Sequence, residues 1–195
     1  MGETNDGVLY GKFLEGDNSA YDSLMVKYGD ALTVYLKGFL YSWEDAEDLM
    51  IEVFAQIMVK KPRIQDGFFK AYLYKCAHNS VAHFYKKDKR KKVFSTEGFE
   101  EYISETGDEP TEGIRSSDAY DGVWRDEKKR IVRKCLERID DDMREALWLF
   151  YFEELSYKDS ASVMNVNIKK IDNLMTRGKK RLKEELEKEG ITDAY

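Results

Sequence analysis

Two prolines in 195 residues leave this backbone almost uninterrupted, and proline is the residue that breaks a helix interior by removing a donor and clashing with the preceding turn. Along the first half, large apolar residues recur every three or four positions. Phe13 and Leu14 are followed by Tyr21, Leu24 and Met25, then by Tyr28, Leu32, Tyr35, Leu36 and Phe39. That period is the mark of a helix with one buried stripe. No long alternation of apolar and polar residues occurs, and the pairs Asp6-Gly7, Asp66-Gly67 and Asp121-Gly122 join no such runs, so no hairpin is signalled. The fold class expected is all-α. An apolar content of 42% is that of a packed chain rather than a disordered one. No apolar run approaches the roughly 20 residues that cross a bilayer. The beginning, "MGETNDGVLYGKF", lacks a basic stretch followed by an apolar one, so no signal peptide is read there. Cys76 and Cys135 form no CxxC pair. A cytoplasmic chain with reduced thiols and no membrane insertion is therefore expected.

The net charge of −6 argues against nucleic acid only on average, because charge is segregated along the chain. "FYKKDKRKK", residues 84–92, holds six Lys/Arg against one Asp. Residues 169–183 hold seven against one. Between them, residues 97–121 hold nine Asp/Glu against one Arg. Two cationic ends around an acidic middle fit two modules that touch phosphate and a connection that does not. Residues 1–92 read as the first helical domain. Residues 93–122, where Gly98, Gly107, Pro110, Gly113 and Gly122 fall, read as an acidic flexible linker. Residues 123–195 read as the second helical domain.

Local chemistry sets the helix ends. Ser42 is an N-cap candidate with Asp45 three residues on, and Lys61-Pro62 should stop that helix. The next helix is expected from about Phe68 to Lys87. In the second domain Ile131, Cys135 and Leu136 share one face, and Met143, Ala146, Leu147, Phe150 and Tyr151 another. Ser156, with Asp159 at the third position, caps a short helix in "LSYKDSASVM". A long basic helix should then run from Ile168 to about Glu189.

The join between those last two helices carries the most specific signal. A helix-turn-helix needs a small residue where its helices meet, a turn residue tolerant of positive φ, and apolar anchors on both sides. Ala161, Asn165 and the set Val166, Ile171 and Leu174 satisfy those needs, and Asn167 can cap the second helix. Its outward side chains would be Lys169, Lys170, Asp172, Asn173, Thr176, Arg177, Lys180 and Arg181. The first of these suit base edges, and Arg177, Lys180 and Arg181 suit phosphate. The plainer reading is a basic solvated helix.

"FFKAYLYKCAHNSVAHFYKKDKRKK" interleaves rings and cations, as a single-stranded nucleic-acid site does. Tyr72, Lys75, Asn79, His83, Lys86 and Lys87 would share the outer faces, with Lys89 and Arg90 beyond. A core helix with a basic tail reads the same way. His78 and His83 are five apart rather than the four of a helical metal pair. No metal set, nucleophile–base pair or phosphate-binding glycine loop is found, so no catalytic residue, metal or cofactor is expected. In "YSWEDAEDLMIEVF", residues 41–54, Asp45, Asp48 and Glu52 fall on one helical face and Ala46, Met50, Val53 and Ile57 on another. The acidic face is either solvated or a socket for a basic partner.

Taken together, "DAEDLMIEVFAQIM" (45–58), "YLYKCAHNSVAHFYKK" (72–87) and "LSYKDSASVMNVNIKKIDNLMTRGKKRL" (155–182) resemble the extracytoplasmic-function (ECF) group of bacterial RNA polymerase sigma factors, in the sigma-70 family. The resemblance covers nearly the whole chain. It implies a transcription initiation factor, not an enzyme, whose partners are core RNA polymerase (the β′ and β subunits) and promoter DNA, with an anti-sigma factor as a further partner in many members. The first domain would correspond to region 2, with Asp45, Asp48, Leu49, Ile51 and Glu52 meeting the polymerase and the following helix reading the minus-ten element. The second would correspond to region 4, reading the minus-thirty-five element. Ile51 stands where the group usually has Gln, and His83 where Asp or Asn is usual. Asn165 replaces a commoner Gly, and Asp172 puts a negative charge on the reading face. Gly178 replaces a usual Ala and should weaken its helix by about 1 kcal/mol. The alternative reading is a stand-alone helix-turn-helix regulator with an N-terminal dimerisation or ligand-binding helical domain.

Overall fold

The computed structural model describes residues 6–87 and 127–191. The expected linker, 93–122, lies outside the described residues, as do Lys89 and Arg90. Eight helices and no strand occur among the described residues. In order they are α1 (Asp6–Leu14), α2 (Asn18–Lys37), α3 (Trp43–Lys60), α4 (Phe69–Lys87), α5 (Glu127–Glu137), α6 (Asp141–Tyr151), α7 (Tyr157–Val163) and α8 (Ile168–Lys188).

Short polar side chains begin these helices by accepting from otherwise unpaired N–H groups. Asp17 accepts from Ser19 at 3.0 Å, and Ser42 from Glu44 at 3.1 Å. Ser156 accepts from the Asp159 amide at 3.1 Å while its hydroxyl donates to the Asp159 carboxylate at 2.6 Å. Asn167 accepts from Lys170 at 2.8 Å. The caps expected at Ser42, Ser156 and Asn167 are thus all present. Helix α3 ends at Lys60, two residues before Pro62, with Lys61 left-handed at φ 41° as its C-cap. Asn165 is left-handed at φ 54°, the conformation the turn requires of it.

Helices α1 to α4 pack as one group and α5 to α8 as another, and α4 lies against α7. One apolar cluster runs through both groups. In the first it holds Tyr21, Tyr35, Tyr74, Phe13, Phe54 and Phe69, all nearly inaccessible. Buried tyrosines need partners for their hydroxyls. Tyr10 donates to the Pro62 carbonyl at 2.8 Å and Tyr21 to the Phe54 carbonyl at 2.6 Å. Tyr85 donates to the Phe39 carbonyl. Two residues expected on apolar faces lie outside instead: Leu14 is near the end of its helix and Tyr151 at the end of α6, and both are exposed.

In the second group α8 crosses α6 at Gly178. A Cβ there would stand 3.2 Å from Leu147 Cδ1 and 3.3 Å from Met143 Cβ. The glycine expected to be a simple weakness therefore permits a close approach of two helices. Gly11, inside α1, has nothing within 4 Å of where a Cβ would be. Replacing Gly by Ala in an open helix position should stabilise by about 0.5–1 kcal/mol. Gly11→Ala should show that gain in urea unfolding, whereas Gly178→Ala should show less or none, because the neighbours must move aside. Equal gains at the two positions would contradict the close-approach account.

Candidate nucleic-acid interface and acidic docking face

Three surfaces expected from the chain are laid out by the helices that carry them. On α3, Asp48 and Glu52 are exposed and Asp45 is half-buried. Gln56 donates to Glu52 at 3.1 Å, one turn on. Ile51 is 54% exposed beside these carboxylates. Leu49 does not join them. It is 4% exposed and sits in the core with Ala46, Val53 and Ile57, because helical phase places position 49 one turn from each of the buried residues 46 and 53. Leu49 positions the acidic face from behind and makes no surface contact.

On α8, Ile171, Leu174, Met175, Gly178, Leu182 and Leu186 face inward. Lys169, Lys170, Asp172, Asn173, Thr176, Arg177, Lys180 and Arg181 are all exposed. Thr176 turns its hydroxyl back to the Asp172 carbonyl at 2.9 Å. Arg181 pairs with Glu184 at 3.0 Å, and Lys170 lies 3.5 Å from Asp142. Both are surface pairs of small energy, open to exchange for a phosphate. The helix thus presents a cationic outer row over an apolar inner one.

On α4 the expected surface is only partly open. His83 and Lys86 are exposed; the Lys87 side chain lies outside what is described. Tyr72 is half-buried rather than outward, and its hydroxyl has a raised pKa through burial first and the neighbouring Cys76 thiol second. Asn79 is exposed but accepts from Asn165 Nδ2 at 3.1 Å. The residue expected to meet bases thus touches the turn residue of the other group.

What the sequence did not point to lies between the groups. Glu145 of α6 and Glu153 just after it are 3% and 5% exposed. A carboxylate so far from water must be paired. Tyr35 of α2 donates to Glu145 at 2.6 Å, and His78 Nδ1 of α4 lies 2.8 Å from the same oxygen. The Lys70 ammonium of α4 stands 3.2 Å from the Glu153 carboxylate and donates to its backbone carbonyl at 2.6 Å. Trp148 donates its indole N–H to Glu153 at 3.2 Å. Burial, then the Glu145 charge, pushes the Tyr35 hydroxyl well above the ordinary phenol range. The Glu145 bond raises the His78 pKa above its usual 6.5, against the opposing effect of burial, and Asp142 adds to the pull. A signal existed for Glu145: it lies one turn before buried Leu149 on the apolar stripe of α6. Among the described residues no His, Cys, Asp and Glu group could hold a metal ion, and no helix is long and apolar enough to cross a membrane.

Family models match the chain in two places: Sigma-70 region 2 over residues 24–91 and Sigma-70, region 4 over residues 129–182. The chain is 25% identical to the RNA polymerase sigma-H factor of Pseudomonas aeruginosa over 186 residues, 95% of each chain. It is 24% identical to the ECF RNA polymerase sigma factor SigM of Bacillus subtilis, covering 76% of this chain and 83% of that one. Among solved structures it is similar in fold to CnrH in complex with the cytosolic domain of CnrY, with TM-score 0.63, 17% identity and coverage of 93% and 97%. It is similar also to the sigma factor RpoE in complex with the anti-sigma factor NepR from Bartonella quintana, with TM-score 0.57, 21% identity and coverage of 86% and 96%.

The His78–Glu145 pair gives a pH dependence of fixed sign. A histidine whose folded pKa lies above 6.5 stabilises the fold fully below about 6.5 and loses that contribution as the pH rises through the folded value. The melting temperature should therefore show a His78-dependent fall as the pH rises above about 6.5. Glu145→Gln should flatten that fall and lower the His78 pKa, read from its ring proton shifts. An unchanged His78 titration in that variant would refute the pairing.

Proposed function

We infer that this chain, which belongs to the sigma-70 family, is a transcription initiation factor of the ECF group, one that binds core RNA polymerase and directs it to specific promoters. The observation that carries this is the presence of region 2 and region 4 matches, in that order, on one chain. Residues 1–92 form the region 2 domain, which engages the polymerase and the minus-ten element. Residues 123–195 form the region 4 domain, which engages the minus-thirty-five element, and 93–122 connect them. An anti-sigma factor belongs among its partners by analogy with the complexes to which its fold is similar.

The surfaces support particular roles. Asp45, Asp48, Glu52 and Ile51 offer an acidic face with one apolar side chain to a basic partner, fitting the β′ subunit. On α8, Asn173 and Lys169 reach toward base edges, and Arg177, Lys180 and Arg181 toward phosphates. Asn79, His83, Lys86 and Lys87 would meet the separated strand, with Lys89 and Arg90 continuing the cationic path. The factor acts by binding and carries no chemistry of its own, in the cytoplasm where polymerase works. With a net charge of −6, the free protein should hold bulk DNA poorly, because that affinity comes from counterion release by a cationic footprint.

Asp48→Lys with Glu52→Lys should weaken binding to core polymerase at least tenfold, about 1.4 kcal/mol, and abolish run-off transcription, with helical content unchanged. Arg177→Ala should lower promoter occupancy by the holoenzyme for all sequences alike. A stand-alone regulator would instead keep its DNA affinity without polymerase and bind as a dimer to a palindrome. Tight DNA binding that core enzyme does not improve would favour that reading and defeat this one.

A further inference from the structure

Helix α8 carries four acidic side chains: Asp172, Glu184, Glu185 and Glu187. Three of them, in its last two turns, are matched. Glu184 pairs with Arg181 at 3.0 Å, Glu185 with Lys188 at 2.5 Å and Glu187 with Lys183 at 3.9 Å. Asp172 differs. It is exposed, and its carboxylate has no ion pair or hydrogen bond among the described residues. Thr176 bonds to its backbone carbonyl instead, and nearby Lys170 lies toward Asp142 of α6. Nor does Asp172 serve the start of the helix. Asn167 fills the cap, and Asp172 lies beyond the first turn, where a carboxylate would favour the helix dipole.

Its neighbours on the outer face are Ile168, one turn before, and Thr176, one turn after. Ile168 is 53% exposed. Beside this row runs a second one of Lys169, Asn173, Arg177 and Lys180, all exposed. Cations alone would hold any duplex, because neutralising phosphate carries no sequence information. A carboxylate set among them is repelled by every phosphate and lowers that indiscriminate affinity. The loss is recovered only where a donor meets the carboxylate. In the major groove the base edges offer two donors, the amino groups of cytosine and of adenine. Adenine sets its N7 acceptor beside the amino group, which suits an amide and repels a carboxylate. Cytosine offers its N4 amino group without such an acceptor on its own edge.

We propose that Asp172 is a specificity-determining residue of the duplex-reading helix, accepting a hydrogen bond from the N4 amino group of one cytosine in the minus-thirty-five element. The assignment rests on the function inferred above and narrows it. Promoters served by this chain carry a C·G pair at the position facing Asp172. Any other pair there leaves a carboxylate desolvated in the groove without a donor, close to phosphates that repel it. Asp172 therefore acts mainly by rejecting wrong sites, while Arg177 and Lys180 supply attraction that all sites share.

The test joins the full chain to core polymerase and supplies a template pool with the minus-thirty-five region randomised, each template read from a barcode in its transcript. The wild-type chain should favour C·G at one position by about fivefold or more. Asp172→Asn should move the preference at that position to A·T, since an amide pairs with adenine N6 and N7. Asp172→Ala should flatten it, and both variants should leave the other positions within about twofold. In a second arm that cytosine becomes N4-methylcytosine, which still pairs with guanine but turns a methyl group into the groove in place of the N–H. Wild-type transcription should fall about fivefold or more, and that of Asp172→Ala should change less than about twofold. A carboxylate that acts by charge alone would, on removal, raise all templates alike and alter no base preference; that result would overturn the proposal. So would an Asp172-dependent preference for A·T in the wild-type chain, or wild-type transcription indifferent to the methyl group. If the wild-type chain transcribes no template in the pool, the inferred function fails and the assignment falls with it. A transcribing chain whose preferences ignore residue 172 sinks the assignment alone.

Discussion

A carboxylate 3% exposed sets the terms for everything around it. Glu145 comes from α6, yet neither of its two donors belongs to the helices packed with α6. Tyr35 is 110 residues away and His78 is 67 away. Were the two helical groups apart, water would satisfy this oxygen. Together, two donors must be aimed at it within hydrogen-bond distance, and leaving one out would strand a buried charge. The requirement fixes the rotation of α4 against α6 far more tightly than apolar contact would, because hydrophobic burial has no direction. The placement of α7 over Asn79 follows from that rotation.

Helix α4 consequently serves two neighbours. Its inward residues, Phe69, Leu73, Tyr74 and Ala77, are nearly inaccessible and belong to the core of the first group. Its other side carries Lys70, Lys75, His78 and Asn79 to the second group. Spaced five, three and one residues apart, these four spread over a broad face beside the core-facing one rather than along a single row. One helix therefore contributes side chains to both groups.

Much of this was legible locally. Ser42, Ser156 and Asn167 cap where short polar side chains precede apolar periods, and Asn165 turns where an amide tolerates positive φ, because those effects act within a few residues. The acidic row of α3 and the cationic row of α8 follow from spacing alone. Leu49 shows the limit of carrying roles over by resemblance: the likeness sets it with Ile51 on the docking surface, but helical phase carries it inside. Gly178 shows another. It continues the stripe of Ile171, Leu174 and Met175, so its position marks a contact, yet only the neighbouring helix reveals that the contact excludes a methyl group. The pairings of Glu145 with Tyr35 and His78 and of Glu153 with Lys70 were not legible at all, since those partners lie in another group of helices and no local rule relates them.

The side chains that join the two helical groups and those of the exposed cationic row on α8 are different residues. Glu145, Glu153 and Lys70 lie inside the joint, while Lys169, Asn173 and Arg177 point away from it. Substitution at the first set bears on the joint between the two helical groups; substitution at the second leaves that joint untouched. The outer row of α8 can therefore vary in sequence while the seam between the groups is kept, and the seam can vary while the row is kept.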